Sequence, residues 1–137
     1  MLVEAVWGFD DDIVLLAFEQ RVAALHFVKQ APSFVAHLLP LDLPTTTERT
    51  RVENIAWDQA RQRLAVSLNE ADHLTGAPVR RTALYALQPR PVLSATHLLD
   101  VSEPTASSAS GWRAKPLFAG SSLIVAWGSH LSSVAVQ

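Results

Sequence analysis

Apolar and polar positions follow the same order twice along this chain, and a third time in shortened form. Residues 2–20 (LVEAVWGFDDDIVLLAFEQ) align with residues 51–69 (RVENIAWDQARQRLAVSLN), because each stretch runs to a tryptophan, passes a polar turn and enters an apolar run. The alignment continues through RVAALHFV and RTALYAL to FVAHLLPLD and VLSATHLLD. The third copy, residues 114–137, has Phe118 where the others have tryptophan. The pattern therefore predicts three related structural units.

The stretch RVENIAWDQARQRLAVSL (51–68) decides the fold class. Its Arg, Gln, Ala and Leu residues are good helix formers, so local propensity allows one helix as well as two short strands. The repeat favours strands, because the third copy contains SSLIVAW, a β-branched and aromatic run between the turns AGSS and WGSH. A solenoid of helical hairpins is the alternative.

Short strands with hairpin-length turns, grouped in fours, are typical of β-propeller blades. We predict an all-β fold, a partial β-propeller of about three antiparallel blades. The blades are expected at 1–43, 51–101 and 113–137, the last one incomplete. Connecting loops are expected at 43–50 and 99–113, with an insertion at 69–80. Because a propeller needs at least about four blades to close, we also expect the chain to be part of a longer protein.

Composition and charge narrow the classes of function. The chain of 137 residues is 49% hydrophobic and 18% charged, which is typical of a globular domain. Its formal net charge of -2 argues against direct nucleic-acid binding, which usually needs a basic face. The absence of cysteine excludes disulfides and thiolate metal sites. The longest apolar run, residues 13–18, is too short to span a bilayer, so no transmembrane segment is expected.

No constellation in the sequence indicates catalysis. Asp10 to Asp12 fall in a predicted hairpin turn without a second ligand cluster, so we expect a solvated turn rather than a metal site. No G-x-S-x-G elbow and no phosphate-binding glycine loop occurs. We therefore expect a non-enzymatic protein without cofactor or metal.

A protein of this kind acts through its surface, and loops on a rigid scaffold commonly carry binding. The two segments that exceed a minimal blade, 69–80 and 99–113, contain apolar residues suited to anchor a partner and cations suited to the rim of an interface. The expected partner-binding residues are Leu74, Pro78 and Trp112 as anchors, with Arg80, Arg81 and Arg113 as the charged fringe.

The units resemble degenerate WD repeats. More narrowly, the run from residue 52 to the C-terminus resembles the C-terminal blades of the aladin family of WD-repeat nucleoporins. The resemblance is carried by ENIAWDQARQRLAVSL, by the insertion LTGAPVRR followed by TALYALQPRPVL, and by the closing hairpin PLFAGSSLIVAWGSHLSSVAVQ. In this chain the Trp57–Asp58 pair ends a first strand, whereas the usual WD signature ends the third.

The resemblance implies a seven-bladed propeller and a scaffold subunit of the nuclear pore complex. It also implies a location at the nuclear envelope, attachment to a transmembrane nucleoporin of the membrane ring, contacts with other nucleoporins and with the rest of its own propeller, and a supporting role in nucleocytoplasmic transport. Three alternatives stay open: another degenerate WD-repeat interaction scaffold, a propeller-type hydrolase, and a receptor-type β-domain that binds peptides. The hydrolase would need several inward-pointing carboxylates, and the first strands of the units contain only Glu4 and Glu53.

Overall fold

The protein folds into three antiparallel β-sheets that follow one another along the chain. The structure, a computed structural model, describes residues 2–8, 13–30, 33–44, 46–47, 49–71, 74–76, 78–89, 92–104 and 113–136. Within these residues there is no helix, so the predicted all-β class is confirmed.

In each sheet, strands that are consecutive in sequence are also neighbours in space. The first sheet contains β1 (Leu2–Gly8), β2 (Ile13–Phe18), β3 (Arg21–Gln30) and β4 (Ser33–Pro40). The second contains β5 (Thr50–Asp58), β6 (Arg63–Ala71), β7 (Pro78–Gln88) and β8 (Ser94–Ser102). The third contains β9 (Lys115–Ala119), β10 (Ser122–Ala126) and β11 (Leu131–Ala135).

The stretch 51–68 forms the β5–β6 hairpin, as the repeat predicted, and not a helix. Its turn is closed locally, because the Asp58 carboxylate accepts hydrogen bonds from the Ala60 amide (3.1 Å) and from the Arg61 guanidinium (3.2 Å). Gln62 ends the turn with a φ of 53°, in the left-handed region that lets the chain reverse into β6. The helix-favouring residues DQARQ (58–62) therefore form the end of β5 and the turn that follows it.

The second sheet lies between the other two, with both faces covered. Alternate residues of a strand point to opposite faces, and on β6 the residues Leu64, Val66 and Leu68 pack against the first sheet. Ala65, between them, packs against the third sheet together with Leu84 of β7. This two-sided burial explains why RLAVSL reads as an almost continuous apolar run rather than as an alternating one.

The first strands of the three sheets are neighbours, because β5 contacts both β1 and β9. A backbone hydrogen bond joins the first two sheets, from the Val52 amide to the Glu19 carbonyl at 2.7 Å. A second link joins the turns of the second and third sheets, where the Arg61 guanidinium donates to the Gly120 carbonyl at 3.1 Å.

Two segments expected to be loops are partly strand. The expected insertion 69–80 continues the β6–β7 hairpin, with Asn69 opposite Arg80 and Glu70 opposite Val79, so only its tip lies outside strands. The expected loop 99–113 begins inside β8, which ends at Ser102. The polar residues of both segments can lie in strands because their side chains form hydrogen bonds and ion pairs with neighbouring elements, as described below.

The packing of β6 gives a first prediction. Leu64→Ala should lower the free energy of unfolding by about 2–5 kcal/mol, because Leu64 is fully buried between two sheets and the cavity would not collapse completely. The same change at Leu131, which is 73% exposed, should cost less than about 0.5 kcal/mol. Denaturant unfolding of the full-length protein checks both, and equal effects would show that β6 is not in the core.

Candidate functional site

The described residues among the six expected to bind a partner have different environments. Leu74 is 86% exposed near the tip of the β6–β7 hairpin, and Arg113 is exposed just before β9. Pro78 is the first residue of β7, and Trp112 lies outside the described residues. The two adjacent arginines, Arg80 and Arg81, are on opposite faces of β7 and have different environments.

Arg80 is buried, which corrects its expected place on an exposed fringe. Its Nε lies 3.1 Å from Oε1 of Glu53, and its Nη1 lies 2.7 Å from Oε2 of Glu103. The guanidinium carbon is 5.9 Å from the centroid of the Trp127 ring, in a cation–π contact. We call these four residues the Arg80 cluster. Its charged groups are paired and 5–13% exposed, so they are not available to a partner.

The Arg80 cluster holds the second connecting segment, residues 103–114, between the second and third sheets. At one end of the segment, the Glu103 amide donates to the Arg80 carbonyl at 3.0 Å. At the other end, the Asn54 side-chain amide donates to the Ala114 carbonyl at 2.9 Å, and the Ala114 amide approaches Glu53 Oε1 at 3.5 Å. Trp127 belongs to the core of the third sheet, and its indole Nε1 donates to the Ser132 hydroxyl at 2.8 Å. The cluster is therefore a structural joint between two sheets.

Arg81 lies on the other face of β7, at the side of the outer strand β8. Its guanidinium is 3.1 Å from Asp100 Oδ1, which is also 2.9 Å from Nε2 of His97. These side chains are 18–36% exposed, so Arg81 keeps the partly exposed position expected of it.

A feature missed at the level of sequence is a cleft between the first and second sheets. It has a volume of about 310 Å³ and is lined by β3, by β6 and by the first connecting segment, residues 41–49, with the start of β5. We call it the inter-sheet cleft; its lining residues are Gln20, Arg21, Val22, Leu41, Asp42, Leu43, Thr46, Thr50, Val52 and Leu68. The run PTTT in the connecting segment was the sole local signal, and it is equally typical of an ordinary linker.

The described residues offer no group of three His, Cys, Asp or Glu side chains that could hold a metal ion. Asp10 to Asp12 lie outside the part of the chain that the structure describes. No membrane-spanning helix is found among the described residues.

The adjacent arginines give a matched prediction. Arg80→Ala should lower the free energy of unfolding by about 3–5 kcal/mol, because it leaves two largely buried carboxylates without their cation. Arg81→Ala should cost about 0.2–1 kcal/mol, because its pair with Asp100 is partly solvated.

Thermal or denaturant unfolding of the full-length protein measures both variants. The triple variant Arg80→Met, Glu53→Gln, Glu103→Gln should recover part of the loss, since it removes the unpaired charges together with the cation. Equal effects of the two single variants would contradict the burial of Arg80.

Comparison with known proteins supports the family resemblance over part of the chain. No protein-family model matches it, and no solved structure matches it. The chain is 33% identical over 97 residues to Aladin of Arabidopsis thaliana, a match that covers 67% of this chain and 21% of that protein. The chain thus spans about a fifth of the length of this curated relative. The similarity supports an aladin-like relationship for the matched stretch.

Proposed function

We propose that this chain is part of a non-enzymatic scaffold subunit of the nuclear pore complex, resembling aladin. The observation that carries the proposal is the 33% identity to Aladin over 67% of the chain. The motifs in residues 52–137 that resemble the C-terminal blades of the aladin family support the same proposal.

The fold favours a propeller segment over an independent β-sandwich. Each sheet is antiparallel with its strands in sequential order, and the first strands β1, β5 and β9 lie side by side. Successive sheets of a propeller are arranged in this way around a central axis. We propose that the three sheets are blades of a larger, seven-bladed propeller and that further blades cover the outer faces of the first and third.

The outer face of the third sheet supports this arrangement. Leu117 and Ile124 pair across β9 and β10 on the face that points away from the second sheet, and Leu117 is 57% exposed. Leu131 on β11 is 73% exposed. An apolar sheet face is normally packed against another layer, and in a propeller that layer is the next blade.

The described carboxylates on the first strands have structural roles, which argues against a hydrolase. Of the carboxylates on first strands, Glu53 is paired with Arg80, and Asp58 lies 3.2 Å from the Arg61 guanidinium in the hairpin turn. Glu4 has a side chain outside the described residues. The described carboxylates of the first strands are thus engaged within the protein, which supports a scaffold rather than a propeller-type hydrolase. Another degenerate WD-repeat scaffold is the second candidate, although the Trp57–Asp58 pair at the end of a first strand departs from the usual WD signature.

The aladin resemblance implies the partners. We propose attachment to a transmembrane nucleoporin of the membrane ring, contacts with other nucleoporins, and a supporting role in nucleocytoplasmic transport. Of the partner-binding residues expected from the sequence, Leu74, Pro78, Arg81, Trp112 and Arg113 stay in the proposal, whereas Arg80 is withdrawn because it is buried.

The proposal predicts where the protein is found in the cell. A full-length fluorescent fusion should give a punctate rim at the nuclear envelope, and its affinity purification should recover membrane-ring nucleoporins. A fusion that is diffuse in the cytoplasm and recovers no pore components would contradict the proposal.

A further inference from the structure

The inter-sheet cleft has the form of a preformed binding site. Its floor is apolar, made by Val22, Leu41, Val52 and Leu68, each of them 1–6% exposed. A second hollow of about 190 Å³ shares Arg21, Val22, Leu41 and Asp42 with it and extends the cleft to Leu38 of β4, which is 56% exposed. The cleft is at the small end of the range of about 300–1,000 Å³ that is usual for ligand pockets. It therefore suits one or two large side chains rather than a nucleotide-sized cofactor.

The walls of the cleft are held by hydrogen bonds. Oγ1 of Thr47 donates to Oε1 of Glu70 at 3.1 Å, and Oγ1 of Thr50 donates to Oε2 of the same carboxylate at 3.4 Å. Thr47 and Thr50 also bond to each other, through the Thr47 amide at 2.9 Å. These bonds fix the first connecting segment to the extended β6–β7 hairpin. Because these walls are already ordered, binding of a partner would cost this protein little conformational entropy.

The charges at the mouth favour an acidic ligand. Arg21 is exposed and lies over the Phe18 ring at 5.9 Å, and it forms no ion pair with the described residues. Arg49 is exposed in the first connecting segment, one residue before Thr50, which lines the cleft. Of the nearby carboxylates that the structure describes, Glu70 is bound by Thr47 and Thr50, Glu19 pairs with Arg51 at 3.8 Å, and Asp42 is exposed in the lining of the cleft.

We propose that the inter-sheet cleft binds an extended peptide segment of a partner protein, with an apolar side chain on the cleft floor and flanking carboxylates paired with Arg21 and Arg49. Arginine forks suit carboxylates, and a buried apolar anchor ringed by polar contacts is the usual anatomy of a protein interface. The inference rests on the proposed scaffold function, because it names the chemistry by which such a scaffold would hold a partner.

The test uses three acetylated, amidated eight-residue peptides that differ at the anchor and its flanks. The first has a central Leu flanked by Glu on both sides. The second has Ser in place of Leu, and the third has Lys in place of each Glu. Each is titrated into the full-length protein and followed by fluorescence anisotropy of a labelled end.

The Leu–Glu peptide should bind about tenfold or more tightly than either control peptide, since it alone supplies both the anchor and the carboxylates. Arg21→Glu should weaken its binding by about tenfold and restore binding of the Lys peptide. Arg21→Gln should give an intermediate loss. Lys115→Glu, a matched charge reversal at an exposed lysine of β9 in the third sheet, should change affinity less than about twofold. Unfolding midpoints of the variants show that the fold is retained.

Equal binding of the three peptides, or loss with Lys115→Glu and not with Arg21→Glu, would overturn the proposal. In the second case the third sheet, with Lys115, would be the binding surface. A protein that concentrates at the nuclear envelope and binds none of the peptides would refute the cleft and leave the scaffold function standing. Selective peptide binding by a protein that is diffuse in the cytoplasm would refute the pore function and leave the cleft standing.

Discussion

Burial of the second sheet on both of its faces is the constraint on which the rest of the structure depends. Its strands β6 and β7 supply side chains alternately to a core shared with the first sheet and to a core shared with the third. Polar side chains inside such a layer must be paired. Ser67 and Thr82, which face each other across these strands, are bonded at 2.7 Å with no exposed surface. The middle sheet thus holds three otherwise separate hairpin units together.

The Arg80 cluster adds to this packing where the second sheet meets the third. Arg80 pairs with a glutamate of β5 and with Glu103 just after β8, while its guanidinium lies over an indole of the third sheet. Paired buried charges are costly to break but add little net stability over apolar residues. Their effect is to fix one geometry, in which both ends of the second connecting segment are held against the sheets.

The strand content was predictable from the sequence because the repeat overrode local propensity. For 51–68 alone, helix and hairpin were both possible, and the β-branched third copy resolved the choice. The face of β7 on which Arg80 lies was not predictable from the sequence. Arg80 and Arg81 are adjacent and point to opposite faces, and a strand covered on both sides gives no alternation to show which arginine is paired inside.

The hairpin extension and the cleft depend on contacts between residues distant in sequence. Residues 69–71 (NEA) and 78–80 (PVR) look like loop because they contain Asn, Glu and Pro, yet they pair as strands while Glu70 is held by Thr47 and Arg80 by Glu53. The cleft joins residues 20–22, 41–43, 46, 50, 52 and 68. No local pattern contains such a combination, so it becomes visible once the first two sheets are packed together.

Hydrogen exchange of the full-length protein tests most directly whether the second sheet is the shared core. Amides protected by buried strands exchange through global unfolding, whereas those of exposed strands also exchange through local opening. If the second sheet is covered on both faces, the amides of β6 and β7 should exchange most slowly of all the described strands, and those of the outer strands β4, β8 and β11 faster. Exchange of β6 and β7 as fast as that of β4 and β8 would contradict the two-sided burial.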